Sequence, residues 1–180
     1  MQRSKLPLFV LVVLLVVTSA FKTNSSQARY HAVFIYNFTK YIEWPASNGA
    51  SDFTITVVKD QALYDALSNM AASKQVNGRH IQVNQVSDAS KVEASEIVIL
   101  GGDAHFQFNT LQKQVGGQST LVITSKEGYA EKGAMINFVL RGGKVKFEMN
   151  EAAVNGAGLK VSTNLKSLAI MVWPYWSRIG

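Results

Sequence analysis

The first clear pattern in the chain is a stretch of apolar residues with helical spacing that stops at a Trp-Pro pair. Positions three and four apart lie on one face of a helix. The residues that share this face are Tyr30, Val33, Phe34, Asn37, Phe38 and Tyr41. Because a residue before proline is disfavoured in the helical conformation, the helix is predicted to end near Trp44, just before Pro45. The pattern favours an N-terminal helix that buries its aromatic face, where Asn37 would need hydrogen-bond partners.

The middle of the chain alternates between predicted strands and predicted helices. Residues 53–58 are rich in β-branched side chains and residues 81–86 alternate between apolar and polar, so both are predicted strands. Between them, residues 61–72 carry apolar side chains at helical spacing. Two continuous apolar runs, 97–100 and 120–124, are typical of strands buried on both faces. The helix predicted between those runs carries Phe106, Leu111 and Val115.

The last third of the chain has a different pattern. Segments 135–140 and 144–149 flank Gly142-Gly143, which predicts a hairpin. Asn150 is a predicted N-cap of a helical stretch that reaches about Trp173 with interruptions near Gly156 and Gly158, and Ser162 or Thr163 is a second N-cap. The predicted fold class is α/β: a single domain with a mixed β-sheet, helices on both faces, and a C-terminal β-hairpin followed by helix.

The N-terminus has the order of a secretory signal. Arg3 and Lys5 precede the apolar run 6–17, and small residues follow up to Ala20. The run is shorter than the roughly 20 residues that span a bilayer, although an uncleaved anchor is the alternative interpretation. Cleavage is expected after Ala20 or Ala28. The predicted organisation is therefore a signal peptide with a short spacer at 1–28, a domain at 29–172 and an aromatic tail at 173–180.

Composition excludes several classes of function. The formal net charge is +6, and loss of Arg3 and Lys5 with the signal leaves 16 basic residues against 12 acidic ones, or +4. The basic residues are dispersed, so no nucleic-acid partner is predicted. The chain contains no Cys, which removes thiol nucleophiles, thiolate metal sites and a lipid anchor on an N-terminal Cys.

No residues are arranged for catalysis, metal binding or cofactor binding. His31, His80 and His105 are scattered without paired-ligand spacing, and no nucleophile motif is present. The segment Gly101-Gly102-Asp103 could offer backbone donors to an anion, but its spacing favours an ordinary strand-to-helix turn. The chain is therefore predicted not to be an enzyme, and no cofactor is expected.

Five sequence blocks, in order, resemble the YfiR family of small periplasmic regulators. The blocks are 34–45, 76–81, 133–138, 143–150 and 158–169. The motif positions within them, interpreted mainly as structural, are Tyr36, Asn37, Phe38, Lys40, Glu43, Trp44, Pro45, Gly78, Arg79, Phe147, Asn150, Leu159 and Leu165. Ser95 stands where many relatives have Cys, so disulfide-linked stability in those relatives cannot operate here.

The resemblance implies a function through protein binding. Relatives resemble repressors that bind the periplasmic sensor domain of an inner-membrane diguanylate cyclase, which lowers cyclic-di-GMP and biofilm formation. An outer-membrane lipoprotein can sequester them, and they tend to form homodimers. The residues themselves leave open an alternative, a periplasmic module that binds a small molecule. An unrecognised hydrolase is disfavoured because no catalytic constellation is present.

The C-terminal tail is a separate candidate for partner binding. Trp173, Tyr175 and Trp176 flank Pro174, which is predicted to end the last helix near Val172 or Trp173. Clustered aromatics at a chain end either cover the core or form an exposed anchor for self-association or partner docking.

Overall fold

A computed structural model describes residues 25–45 and 52–173 of the chain. Helix α1 covers 25–41. The following elements are β1 (Ile42–Glu43), β2 (Phe53–Val58), α2 (Gln61–Ala71), β3 (Gln75–Val76), β4 (Arg79–Val86), β5 (Ile97–Leu100), α3 (Phe108–Gln114) and β6 (Leu121–Thr124). The C-terminal part contains β7 (Ile136–Arg141), β8 (Lys144–Met149), α4 (Glu151–Gly156), β9 (Lys160–Val161), α5 (Thr163–Leu168) and β10 (Ile170–Met171). Short 3-10 helices occupy Ala89–Lys91 and Gly102–Gln107.

The centre of the molecule is an eight-stranded mixed sheet in the order β10-β8-β7-β6-β5-β2-β4-β3. Strands β4, β2, β5, β6 and β7 are parallel, whereas β8 is antiparallel to β7. A two-stranded sheet, β1-β9, lies apart from it. The chain passes from β2 to β4 on one side and then returns to β5 on the other. The strand order therefore reverses between β2 and β5, which is the topological switch point of an open α/β sheet.

Both faces of the sheet are covered, as the sequence predicts. In β5, Ile97 and Ile99 belong to the core cluster shared with α1 and α2, while Val98 and Leu100 belong to the cluster shared with α3. This alternation follows from the two-residue period of a strand. The predicted single α/β domain with a mixed sheet, helices and a C-terminal hairpin is confirmed.

Helix α1 differs from the prediction in its end and in its buried face. It ends at Tyr41 instead of near Trp44, because Ile42 and Glu43 pair with Val161 and Lys160 of β9. The buried face carries Ala28, His31, Ala32, Ile35, Phe38 and Thr39. Tyr30 and Val33 are 62% and 59% exposed. The apolar positions are thus divided between an inner and an outer face, which spacing alone cannot separate.

The region after the hairpin is more broken than predicted. Helix α4 ends at Gly156 and α5 ends at Leu168, so no helix reaches Trp173. Ile170 and Met171 instead form β10, which pairs in parallel with Glu148 and Met149. The predicted caps of both helices are confirmed, since Asn150 accepts from Ala153 N–H at 3.0 Å and Ser162 from Leu165 N–H at 3.2 Å.

The helix predicted around Phe106 begins later than expected. Residues Gly102–Gln107 form a 3-10 helix, and Phe106 is 69% exposed. Leu111 and Val115 are buried as predicted for the inner face of this helix.

Candidate functional site

The carboxyl ends of the parallel strands border a crevice under the first turns of α1. Its first lobe has a volume of about 460 Å³ and is lined by residues that include Gln27, His31, Asp60, Gly102, Asp103 and Ser125. Asp60 follows β2, Gly102 and Asp103 follow β5, and Ser125 follows β6. The lobe therefore lies at the switch point, where ligands of open α/β sheets characteristically bind. We call the whole crevice, including a second lobe described below, the switch-point crevice.

Beside the crevice, the chain that leaves β5 closely approaches the end of β2. The Gly101 N–H donates to the Val58 carbonyl at 2.9 Å. A Cβ at Gly101 would lie only 2.7 Å from the Lys59 carbonyl oxygen, so a side chain does not fit there. Lys59 itself has φ of 54°, a left-handed conformation that turns the chain out of the strand. The segment around Gly101 is therefore a tight turn into a 3-10 helix.

Two carboxylates face this lobe. Asp60 caps α2, because its Oδ1 accepts a hydrogen bond from the Leu63 N–H at 3.0 Å. Burial raises the pKa of Asp60; the hydrogen bond from Leu63 opposes that rise, and the nearby Asp103 carboxylate adds to it. Within the described residues neither Asp60 nor Asp103 forms an ion pair.

His31 separates the first lobe from a second one. The second lobe has a volume of about 230 Å³, and its lining includes His31, Glu127, Phe138, Leu140, Arg141 and Val145. The His31 ring stacks on Phe138 with 4.1 Å between ring centroids and an interplanar angle of 6°. Burial lowers the pKa of His31 to about 4, so the imidazole is neutral at neutral pH.

The motif residues Trp44 and Arg79 meet at the opposite, amino edge of the sheet. Arg79 forms an ion pair with Glu96 and lies over the Phe53 ring, 5.3 Å from its centroid. The Trp44 ring packs edge-on against Phe53 with 5.2 Å between centroids, and its Nε1–H donates to the Glu96 carbonyl at 3.0 Å. The Oε2 atom of the Glu96 carboxylate accepts a hydrogen bond from the Thr54 N–H at 2.8 Å. These contacts connect the end of α1 to the starts of β2, β4 and β5, so the role of Trp44 and Arg79 is structural.

The other motif positions fall into three environments. Those in the core are Phe38, Phe147, Leu159 and Leu165. Asn150 caps α4 and also donates to the Ala130 carbonyl at 2.8 Å, while Gly78 occupies a turn with φ of 79°. Those at the surface or partly exposed are Tyr36, Asn37, Lys40, Glu43 and Pro45.

Asn37 is not the buried polar group that the helical pattern suggested. It is partly exposed, and its Oδ1 accepts from Lys40 Nζ at 3.3 Å. The same ammonium lies 4.6 Å from the centroid of the Tyr36 ring. This part of α1 therefore presents a polar, solvent-facing surface.

The buried polar network lies elsewhere, around Asn137 in β7. Asn137 is fully buried, donates to Glu148 at 2.9 Å, and accepts from the Thr124 hydroxyl at 2.7 Å and the Lys126 N–H at 3.0 Å. Glu148 also accepts from Arg141 at 3.2 Å. The network ties β6, β7 and β8 together beside the second lobe. Sequence reasoning missed it, because the apolar run 135–140 gives Asn137 no special status.

The tail residues are only partly within the described chain. Trp173 is 62% exposed. It follows β10, whose Met171 pairs with Met149, and Met149 in turn pairs with Ile136 at the start of β7. Trp173 therefore lies toward the amino edge of the parallel strands, opposite the switch-point crevice. Tyr175 and Trp176 lie outside the described residues.

Fold and crevice together define the class of protein: a single-domain α/β protein whose parallel strands have the doubly wound order β4-β2-β5-β6-β7, with a polar crevice at the switch point. The sequence model of the YfiR/HmsC-like family matches residues 28–170, most of the chain, and the protein belongs to that family. A comparison with curated proteins finds no match. In the described residues, no group of three His, Cys, Asp or Glu side chains is placed to hold a metal ion, and no helix could cross a membrane.

Proposed function

We propose that this protein is a non-enzymatic periplasmic regulator that binds the periplasmic sensor domain of an inner-membrane diguanylate cyclase and represses it. The observation that carries the proposal is the family match over residues 28–170, which supports a regulatory role in cyclic-di-GMP signalling. The output would be lower cyclic-di-GMP and less biofilm. An outer-membrane lipoprotein that sequesters the regulator and a homodimeric state belong to the same proposal.

The partner surface is proposed to include the aromatic tail. Trp173 is a large aromatic side chain with most of its surface exposed. Aromatic residues supply much of the binding energy at protein interfaces, and truncating a hot-spot residue costs about 2 kcal/mol or more. The neighbouring Tyr175 and Trp176 extend the same aromatic segment in sequence.

Deleting the gene is expected to raise cellular cyclic-di-GMP and surface attachment in a strain that expresses the partner cyclase. Complementation with the wild-type gene should restore repression, whereas Trp173→Ala should restore it poorly because the docking aromatic is lost. Cyclic-di-GMP would be measured in cell extracts. Unchanged nucleotide levels after deletion, with the cyclase demonstrably expressed, would falsify the regulatory function.

The matched control for Trp173→Ala is Phe106→Ala. Phe106 is 69% exposed but lies at the carboxyl edge of the sheet, so its loss should leave repression intact. Thermal melts should be similar for both variants, and light scattering of each would report the oligomeric mass. If both variants repress equally well, the tail is not part of the interface.

We also propose that the signal peptide is cleaved after Ala20, not after Ala28. Ala28 is 5% exposed and belongs to the main core cluster, and Gln27 lines the switch-point crevice. Cleavage after Ala28 would remove both from the mature protein. N-terminal sequencing of protein from a periplasmic fraction should therefore begin at Phe21. A sequence beginning at Arg29, or a full-length form retained in the membrane, would contradict this.

A further inference from the structure

The switch-point crevice contains a buried polar side chain without a partner. His31 is 7% exposed, and among the described residues its imidazole makes no hydrogen bond, only the ring stack on Phe138. No fully enclosed side-chain nitrogen or oxygen in the described chain lacks a partner. The imidazole nitrogens must therefore face open space, and His31 lines both lobes of the crevice. A polar group so placed is available to a ligand.

The two lobes differ in how their charges are compensated. In the second lobe, Arg141 pairs with Glu127 at 3.4 Å and with Glu148 at 3.2 Å. In the first lobe, Asp60 and Asp103 have no ion pair among the described residues, and the Lys59 ammonium instead lies 5.6 Å from the centroid of the Phe106 ring. The lining of the first lobe thus carries two carboxylates and one ammonium, that of Lys59, which gives the lobe a net acidic character although the chain as a whole is basic.

These features define the chemistry of the occupant. A cationic group in the first lobe would meet Asp60, Asp103 and the imidazole of His31, which can accept a hydrogen bond because it is neutral. An anion would meet two carboxylates there against the single ammonium of Lys59. A divalent metal ion lacks a set of three suitable ligands within the described residues. Beyond His31, the second lobe offers the apolar surfaces of Leu140 and Val145.

The geometry points to a binding site for a small organic ammonium compound, with the ammonium group between Asp60 and Asp103 and an apolar body directed past His31 toward Leu140 and Val145. The first lobe alone has a volume within the range of roughly 300–1,000 Å³ that small-molecule sites occupy. This site goes beyond the proposed regulatory function and does not depend on it, since it needs no partner protein. In a regulatory protein, the ligand bound at this site would be the signal to which the protein responds.

Three probes of similar size and different charge test the site on the purified mature protein. Phenethylamine carries an ammonium group, 3-phenylpropionate a carboxylate, and 2-phenylethanol neither. Isothermal titration at neutral pH should give saturable binding of phenethylamine and binding at least about fivefold weaker for the other two. Equal binding of the amine and the carboxylate, or no saturable binding of phenethylamine, overturns the proposal.

Two variants and one control assign the binding to the crevice. Asp60→Asn keeps an N-cap side chain for α2, and Asp103→Asn changes an exposed residue, so both should fold and melt normally. Each is expected to weaken phenethylamine binding about fivefold or more. Asp52→Asn removes an exposed acid at the amino edge of the sheet and should leave affinity unchanged. If the three variants bind the amine alike, the site lies elsewhere and the assignment fails.

Discussion

Phe38→Ala is expected to lower the free energy of unfolding by about 3–5 kcal/mol, because it opens a cavity in the main core. Phe38 is 1% exposed. Its ring centroid lies 5.1 Å from that of Phe147 and 6.0 Å from that of Phe138, so one side chain connects α1 to both strands of the hairpin. For a domain of this size the melting temperature should fall by on the order of 10 °C. Thermal and urea unfolding would measure the loss.

Val33→Ala is the matched control on the same helix. Val33 is 59% exposed, so its truncation removes little buried surface and should change stability by less than about 0.5 kcal/mol. If the two variants melt at similar temperatures, α1 is not docked through Phe38. In that case, side chains on the inner and outer faces of α1 would contribute equally to stability.

Acidification is expected to destabilise the protein through His31. Its pKa is about 4 in the folded protein and 6.5 in the unfolded chain, so the unfolded state binds the proton more tightly. Neutral His31 makes its full contribution to the free energy of unfolding above about pH 6.5. As the pH falls, this contribution decreases by about 2 kcal/mol between pH 7 and pH 5, and by about 3 kcal/mol in total below pH 4. Asp60 opposes this in part, because its raised pKa favours folding at acid pH.

The contribution of His31 can be isolated with a variant that does not titrate. His31→Phe preserves a ring to stack on Phe138 and should flatten the dependence of unfolding free energy on pH between 7 and 5. His80→Gln replaces an exposed histidine in β4 and should retain the wild-type slope. Chemical denaturation at a series of pH values provides the comparison. A wild-type slope in His31→Phe would mean that another group senses the acid.

The sequence predicted the elements whose apolar patterns are long and regular. The six longer strands of the central sheet (β2 and β4 to β8), the hairpin and the caps at Asn150 and Ser162 all have local signals. The missing elements are β1, β3, β9 and β10, each two residues long. Strands β1 and β9 form because distant segments pair, as Ile42 does with Val161, whereas β3 pairs with the adjoining start of β4. Strands of two residues are too short to leave a periodicity in the sequence.

The residues of the candidate site were harder to predict from the sequence than the elements of the fold. Asn37 stood out in the sequence because it interrupts an aromatic pattern, yet it is partly exposed. His31 and Asn137, which occupy special positions in the structure, had no distinguishing spacing. Gly101-Gly102-Asp103 was visible as a turn, but its position beside Asp60 follows from the strand order. Strand order depends on crossovers, which hydrophobic patterns do not encode.

The packing of α1 against the C-terminal hairpin also determines when folding can be completed. Phe38 and Phe138, which stack in the core, are a hundred positions apart, and Phe147 lies further still. An exported chain that emerges N-terminus first presents its aromatic helix long before the strands that cover it. Contacts of such long range slow folding, because the loop must close before they can form. With export as proposed, the aromatic helix would reach the periplasm before the strands that cover it and would be among the last parts of the protein to be buried.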